Sequence, residues 1–222
     1  MALRKGLMVL LASGLLTAAL VGCNQVAPAT VASDDAATHL SAGRSLLEEG
    51  KPNEAIKELQ QAVRLDPKSS EAQYVLGNAL TRAGQLDEAV TAYEAALRLD
   101  PKNADAHSNL GVVRYRQGKS DEAVKEFTEA LKLAPDDAEI HYNLGGAYTQ
   151  LNQIEQALAE FQKANSLDPN LPEPYLGLGT VYKLQGQNER AIQALERYLE
   201  LSKDAEWRSQ AEAMLKELKG QP

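Results

Sequence analysis

Proline recurs in this chain at positions 67, 101, 135 and 169, each 34 residues after the last. That interval limits the possible fold more than any other feature. Asp66, Asp100 and Asp168 precede three of these prolines and Ala134 precedes the fourth. Gly43, Gly77, Gly111, Gly145 and Gly179 keep the same interval, as do Ala55, Ala89, Ala123, Ala157 and Ala191. A third series runs Gly50, Gly84, Gly118, Asn152, Gly186 and a bulky one Leu59, Tyr93, Phe127, Phe161, Leu195. A small series, Ala62, Ala96, Ala130 and Ala164, breaks only at Tyr198. Series in phase at one interval describe a unit copied five times. A unit this short cannot bury a face alone and must stack on its neighbours.

Residues 70–103 show the physics of one unit. Gln73, Leu76, Gly77 and Leu80 fall on one stripe of a first helix. Gly84 supplies the left-handed residue that ends it. Asp87 and Glu88 place negative charge at the positive end of a second helix, which carries Ala89, Tyr93, Ala96 and Leu97 on one face. Asp100-Pro101 stops that helix, because proline cannot continue it and restrains the residue before it. Gly77 and Ala89 let the two helices approach closely while Tyr93 fills the groove beside them. Asn152 replaces glycine in the fourth unit, and asparagine is the next best residue for that conformation. Composition agrees: aromatic residues are only 5% of the chain, and Ala, Leu, Glu, Lys and Gln dominate, all helix formers of good propensity.

The pattern resembles the tetratricopeptide repeat, a helix-turn-helix unit of 34 residues. The resemblance implies an all-α, right-handed superhelical solenoid whose first helices line a concave face. Five units are expected at 36–69, 70–103, 104–137, 138–171 and 172–205. The fifth departs at its end, where Tyr198 replaces the small residue and Ser202-Lys203-Asp204 replaces Asp-Pro. Trp207, Ala211, Met214, Leu215 and Leu218 then form one face of a capping helix over 206–219, ended by Gly220. A terminal unit meets water instead of a neighbour, so it must differ from the rest.

The front of the chain is of another kind. Arg4 and Lys5 precede 17 uncharged residues, 6–22, that end at Cys23. A basic start, a short apolar middle and small residues at the end are the parts of an export signal, and the run is short for a membrane span. Leu20-Val21-Gly22-Cys23 also resembles the bacterial lipobox, which implies cleavage before Cys23, lipid on its sulfur and usually a further acyl chain on its amine. Two or more chains hold a protein stably on a membrane. The alternative reading is an uncleaved anchor with an incidental cysteine. Residues 1–22 are thus expected to be a lipoprotein signal peptide and 23–35 a flexible tether. The mature protein would face the periplasm or the cell exterior. Asn24, where an aspartate would resemble an inner-membrane retention signal, favours the outer membrane if the envelope has two.

Charge and motifs exclude several functions. The formal net charge is −8, and excess acid repels a phosphate backbone, so no nucleic-acid partner is expected. One cysteine leaves no internal disulfide and no cysteine zinc site. No phosphate-binding glycine loop or H-E-x-x-H motif occurs, so no cofactor, metal or enzymatic activity is expected. His39, His107 and His141, the only histidines, share one slot of three repeats where the resembled family packs a large aromatic, and helix packing outweighs metal binding there. Glu71, Asp105, Glu139 and Glu173 form a ladder at the 34-residue interval. It reads first as favourable charge at helix starts, with an acidic strip for a basic partner as the other reading.

By register with the resembled family, the concave candidates include Tyr74, Asn78, Asn109, Tyr115, Tyr142, Asn143 and Gly146. Asn109 and Asn143 share a slot and resemble the asparagine ladder by which some members hold a peptide backbone, since an amide both donates and accepts. A generic solenoid surface would also carry Tyr and Asn there. Gly146 and Gly177 read as notches in this face or as easing between the fourth and fifth repeats. The carboxylate clamp for peptide C-termini is excluded, because Tyr74, Glu139 and Asn143 stand where its cations belong. The expected function is a lipid-anchored scaffold or adaptor that binds a protein or extended peptide on the bacterial envelope. The alternative is an assembly factor for a pilus or secretion pore.

Overall fold

The computed structural model describes residues 35–220; the expected signal peptide, Cys23 and the tether up to residue 34 lie outside the described residues. Within them the secondary structure is helical, with no strand. The elements are α1 (Ala36–Glu48), α2 (Pro52–Leu65), α3 (Ser70–Arg82), α4 (Leu86–Leu99), α5 (Ala104–Arg116), α6 (Ser120–Leu133), α7 (Ala138–Gln150), α8 (Ile154–Leu167), α9 (Glu173–Leu184), α10 (Asn188–Leu201) and α11 (Ala205–Leu218).

Local chemistry sets each start and stop. Asp35, Ser69, Asn103 and Asp137 cap α1, α3, α5 and α7, each accepting a hydrogen bond from the backbone N–H three residues on. These side chains hold an N–H left bare by the helix start. They supplement the acidic ladder, whose members stand in the first turns of α3, α5, α7 and α9. Asp35, read from the sequence as the end of the tether, is the cap of α1. Gly50, Gly84, Gly118 and Gly186 have φ between 70° and 77°, and Asn152, the one non-glycine with positive φ among the described residues, has φ 57°.

The helices pack as pairs, α1 on α2 through α9 on α10, and the second helix of each pair packs on the first helix of the next. Successive first helices α1, α3, α5, α7 and α9 also touch one another, whereas the second helices make no comparable contact among themselves. The stack therefore curves with the first helices on its inner side. The bulky series fills each pair: Leu59, Tyr93, Phe127, Phe161 and Leu195 are almost wholly buried. A Cβ added at Gly43, Gly77, Gly111, Gly145 or Gly179 would come within 2.5–2.7 Å of that side chain, so glycine is what lets the pair close. At the far end Ala211 and Leu215 of α11 are buried against α10. Trp207 departs from the expected stripe. Standing in the first turn of α11, it is 50% exposed and borders the inner face.

Candidate functional site

The inner face divides into two sectors with different chemistry. In the first, Asn109 on α5 donates to Asn78 Oδ1 (2.9 Å) and to the Tyr74 hydroxyl (3.3 Å) across to α3. The Tyr93 hydroxyl donates to the same Asn78 oxygen (2.7 Å). Tyr74 and Tyr93 lie with ring centroids 6.2 Å apart. Tyr74, Asn78 and Asn109 are thus one closed network, in which both amide N–H groups of Asn109 already have acceptors. Asn143, in the equivalent slot of α7, is half-buried and makes no side-chain hydrogen bond with any described residue. The two rungs of the expected ladder are therefore unlike. Only Asn143 presents a complete amide.

Burial pushes the Tyr93 phenol well above the ordinary value of 10.0, and neighbouring Tyr74 adds to this while the hydrogen bond with Thr81 opposes it. Burial also raises Tyr142, with Glu173 adding repulsion to the phenolate. A raised pKa favours the neutral phenol in the folded chain. Its contribution is whole below the unfolded value near 10 and is lost as pH rises through the folded one. Unfolding midpoints should therefore hold steady up to about pH 10 and fall above it. Tyrosine absorbance at 295 nm should show Tyr93 ionising only as the helix signal disappears, a lag that Tyr93→Phe removes. Ionisation of every tyrosine near pH 10 with intact helicity would refute this.

In the second sector a groove of about 270 Å3 opens between α5, α7, α9 and α11. Tyr115, Tyr142, Gly146, Leu176, Thr180 and Trp207 line it, with the Phe161 ring at its base and Glu173 at its edge. Three predicted residues, Tyr115, Tyr142 and Gly146, meet here. A Cβ at Gly146 would find only the tip of the Tyr115 side chain, 3.9 Å away at the hydroxyl, an ordinary contact that leaves this position an open notch. Gly177 is not one: its Cβ would stand 2.7 Å from the Phe161 ring, and the site is filled by packing. Leu176 was not singled out from the sequence, although it follows Tyr142 by one interval. Trp207 could not be found that way, because α11 leaves the period.

The histidines are held by carboxylates. His39, His107 and His141 bond through Nδ1 to Glu58 (2.7 Å), Glu126 (2.7 Å) and Glu160 (2.6 Å), each 19 residues on within the same unit. His141 Nε2 also meets the Pro135 carbonyl oxygen at 3.1 Å. The aromatic slot is therefore filled by a hydrogen-bonded pair. Among the described residues no group of three His, Cys, Asp or Glu is placed to hold a metal ion, and no helix is long and apolar enough to cross a membrane.

Comparison with curated proteins gives no match. Among solved structures, residues 41 to the end of MamA from Desulfovibrio magneticus RS-1 are 28% identical, with a TM-score of 0.71 over 77% of this chain and 96% of that one. PilF of Pseudomonas aeruginosa is 22% identical, with a TM-score of 0.70 over 82% and 88%. YrrB, described as having an unusual peptide-binding site, is 22% identical, with a TM-score of 0.66 over 81% and 93%. The last two show likeness of fold alone. Models of the TPR repeat match residues 43–84 and 77–118, and tetratricopeptide repeat models match 108–172 and 153–215. Together the matches run without a gap from residue 43 to residue 215, and the chain belongs to the tetratricopeptide repeat family.

Proposed function

We propose that this chain is a scaffold or adaptor, without chemistry of its own, that binds a protein partner or an extended peptide on its inner face. Lipid on Cys23 would hold it on the bacterial cell envelope. The observation that carries the binding reading is the groove beside Gly146. It is a recess walled by tyrosine, leucine and tryptophan side chains that the packing of the repeats leaves unfilled. Aromatic anchors in such recesses dominate protein recognition. YrrB, which shares the fold, is described as a peptide binder; that makes the ligand class a natural one here. The anchoring reading stands on Arg4, Lys5, the uncharged run and Leu20-Val21-Gly22-Cys23.

Both parts are tested in one preparation from the native host. Wild-type protein should partition into detergent and carry added acyl mass at Cys23, while Cys23→Ala should remain an uncleaved or mislocalised precursor. Crosslinked partners recovered from solubilised envelopes with wild type should be lost with Gly146→Leu, which fills the notch, at unchanged helicity. Absence of acyl mass defeats the anchor, and full recovery with Gly146→Leu defeats the inner-face site.

A further inference from the structure

We propose that the groove between α7, α9 and α11 takes a cationic peptide: one aromatic or leucine side chain seated beside Gly146, with lysine or arginine residues flanking it along the ladder of Asp105, Glu139 and Glu173. This rests on the inner-face reading above and names the ligand that face selects.

Two independent features converge on it. The first is the seat. At about 270 Å3 the groove falls just below the roughly 300–1,000 Å3 of small-molecule pockets, and suits one large side chain. Its walls are apolar at Leu176, Trp207 and the Phe161 ring. Leu184, which follows Leu176 and Thr180 on the same stripe of α9, is left 62% exposed. An anchor placed here covers surface that would otherwise remain wet.

The second is a row of carboxylates that the cations of the first helices leave unpaired. Arg44 pairs with Glu71. Arg82 donates to the Leu47 carbonyl (2.8 Å) and Arg116 to that of Thr81 (3.4 Å). Arg114 holds Glu94 and Glu122 at 2.8 and 3.1 Å, and Lys183 holds Glu217 at 2.5 Å. Asp105, Glu139 and Glu173 are exposed and make no ion pair or side-chain hydrogen bond with any described residue. They occupy the same slot in the first turns of α5, α7 and α9, and Glu173 belongs to the groove itself. The first turns of α5, α7 and α9 therefore offer three carboxylates that no described cation holds, one of them at the apolar seat, and a cationic partner is their complement. Neighbouring helices lie about 8–10 Å apart, which is about three residues of chain in the polyproline II conformation, where every third side chain faces the same way. Cations spaced by three residues would each meet one carboxylate.

Trp207 is the sole tryptophan and borders the seat, so its fluorescence reports occupancy directly. The probes are blocked nonapeptides with one central phenylalanine and three lysines spaced by three residues, the same peptide with glutamates for lysines, and the lysine peptide with alanine for phenylalanine. Each is titrated into the full mature chain by Trp207 fluorescence and by calorimetry. The lysine–phenylalanine peptide should bind about tenfold more tightly than the glutamate one, from two or three exposed ion pairs, and about tenfold more tightly than the alanine one. Glu139→Gln/Glu173→Gln should erase most of the charge preference and flatten the salt dependence while keeping the phenylalanine preference. Gly146→Leu should abolish binding. If the glutamate peptide binds as well and is lost with Gly146→Leu, the cationic ligand is overturned while the inner-face site survives. If no peptide gives heat or a Trp207 change at 1 mM, the inference falls, and partner recovery with Gly146→Leu judges the wider reading separately.

Discussion

Phe161→Ala is expected to cost about 3–5 kcal/mol of unfolding free energy, and to do so unevenly along the chain. The Phe161 ring sits in α8 against two helix-interior glycines, Gly145 of its own pair and Gly177 of the next. It therefore holds a unit together and also joins that unit to its successor. Phe127, its equivalent one unit earlier, meets only Gly111 in this way. In a solenoid each unit touches only its neighbours, so stability is a sum of unit and interface terms. Losing both terms at one joint should let α9, α10 and α11 melt first. In urea, Trp207 fluorescence should then change before helix circular dichroism, whereas in Phe127→Ala the two should remain closer together. Coincident transitions shifted by less than 1 kcal/mol would show that the ring does not bridge the two units.

The second large effect is a contrast of sign between two glycines of the inner helices. Gly177→Ala drives a Cβ to 2.7 Å from the Phe161 ring, and the ring also packs over Gly145, where an added Cβ would come equally close, so retreat in that direction is closed. Forcing a methyl into such packing costs typically 1–3 kcal/mol. Gly146→Ala adds the same methyl without a clash, at ordinary contact distance (3.9 Å) from the Tyr115 hydroxyl. Replacing a helix-interior glycine there should stabilise the chain by about 0.8–1.0 kcal/mol. Thermal melting of the two variants side by side decides it. Shifts in the same direction would mean that the two positions are packed alike.

The 34-residue interval made the scaffold legible because it reports a physical necessity: a small residue on one helix wherever a bulky one crosses from the next. The glycine, alanine and bulky series could be read from the sequence as parts of one helix pair, and the left-handed Asn152 could be placed; that each glycine faces the bulky side chain itself came from the structure. The site was less legible, because it depends on where the repeat is broken. Gly146 and Gly177 look alike in sequence. Only the position of the Phe161 ring separates an open notch from a filled one. Asn109 and Asn143 share a slot, yet Asn78 and Tyr74 engage the first and no described side chain engages the second. Trp207 stands on a helix outside the period, so no register could bring it beside Leu176 and Thr180.

The histidine–glutamate pairs bear on how such a chain can grow. Units one, three and four carry both partners, as His39 with Glu58, His107 with Glu126 and His141 with Glu160. Units two and five carry neither: Gln73 stands opposite Ala92, and Tyr175 opposite Ala194. Both members lie inside one unit, on its two helices. A duplication that begins and ends at the turns between units copies the pair whole. A crossover in the short turn at Gly84 or Gly118 would join one unit's first helix to another's second, setting Gln73 against Glu126 or His107 against Ala92. Such a recombinant would carry a carboxylate or an imidazole with its intended partner missing. The pairing thus makes the full helix hairpin, and not the single helix, the heritable piece of this molecule.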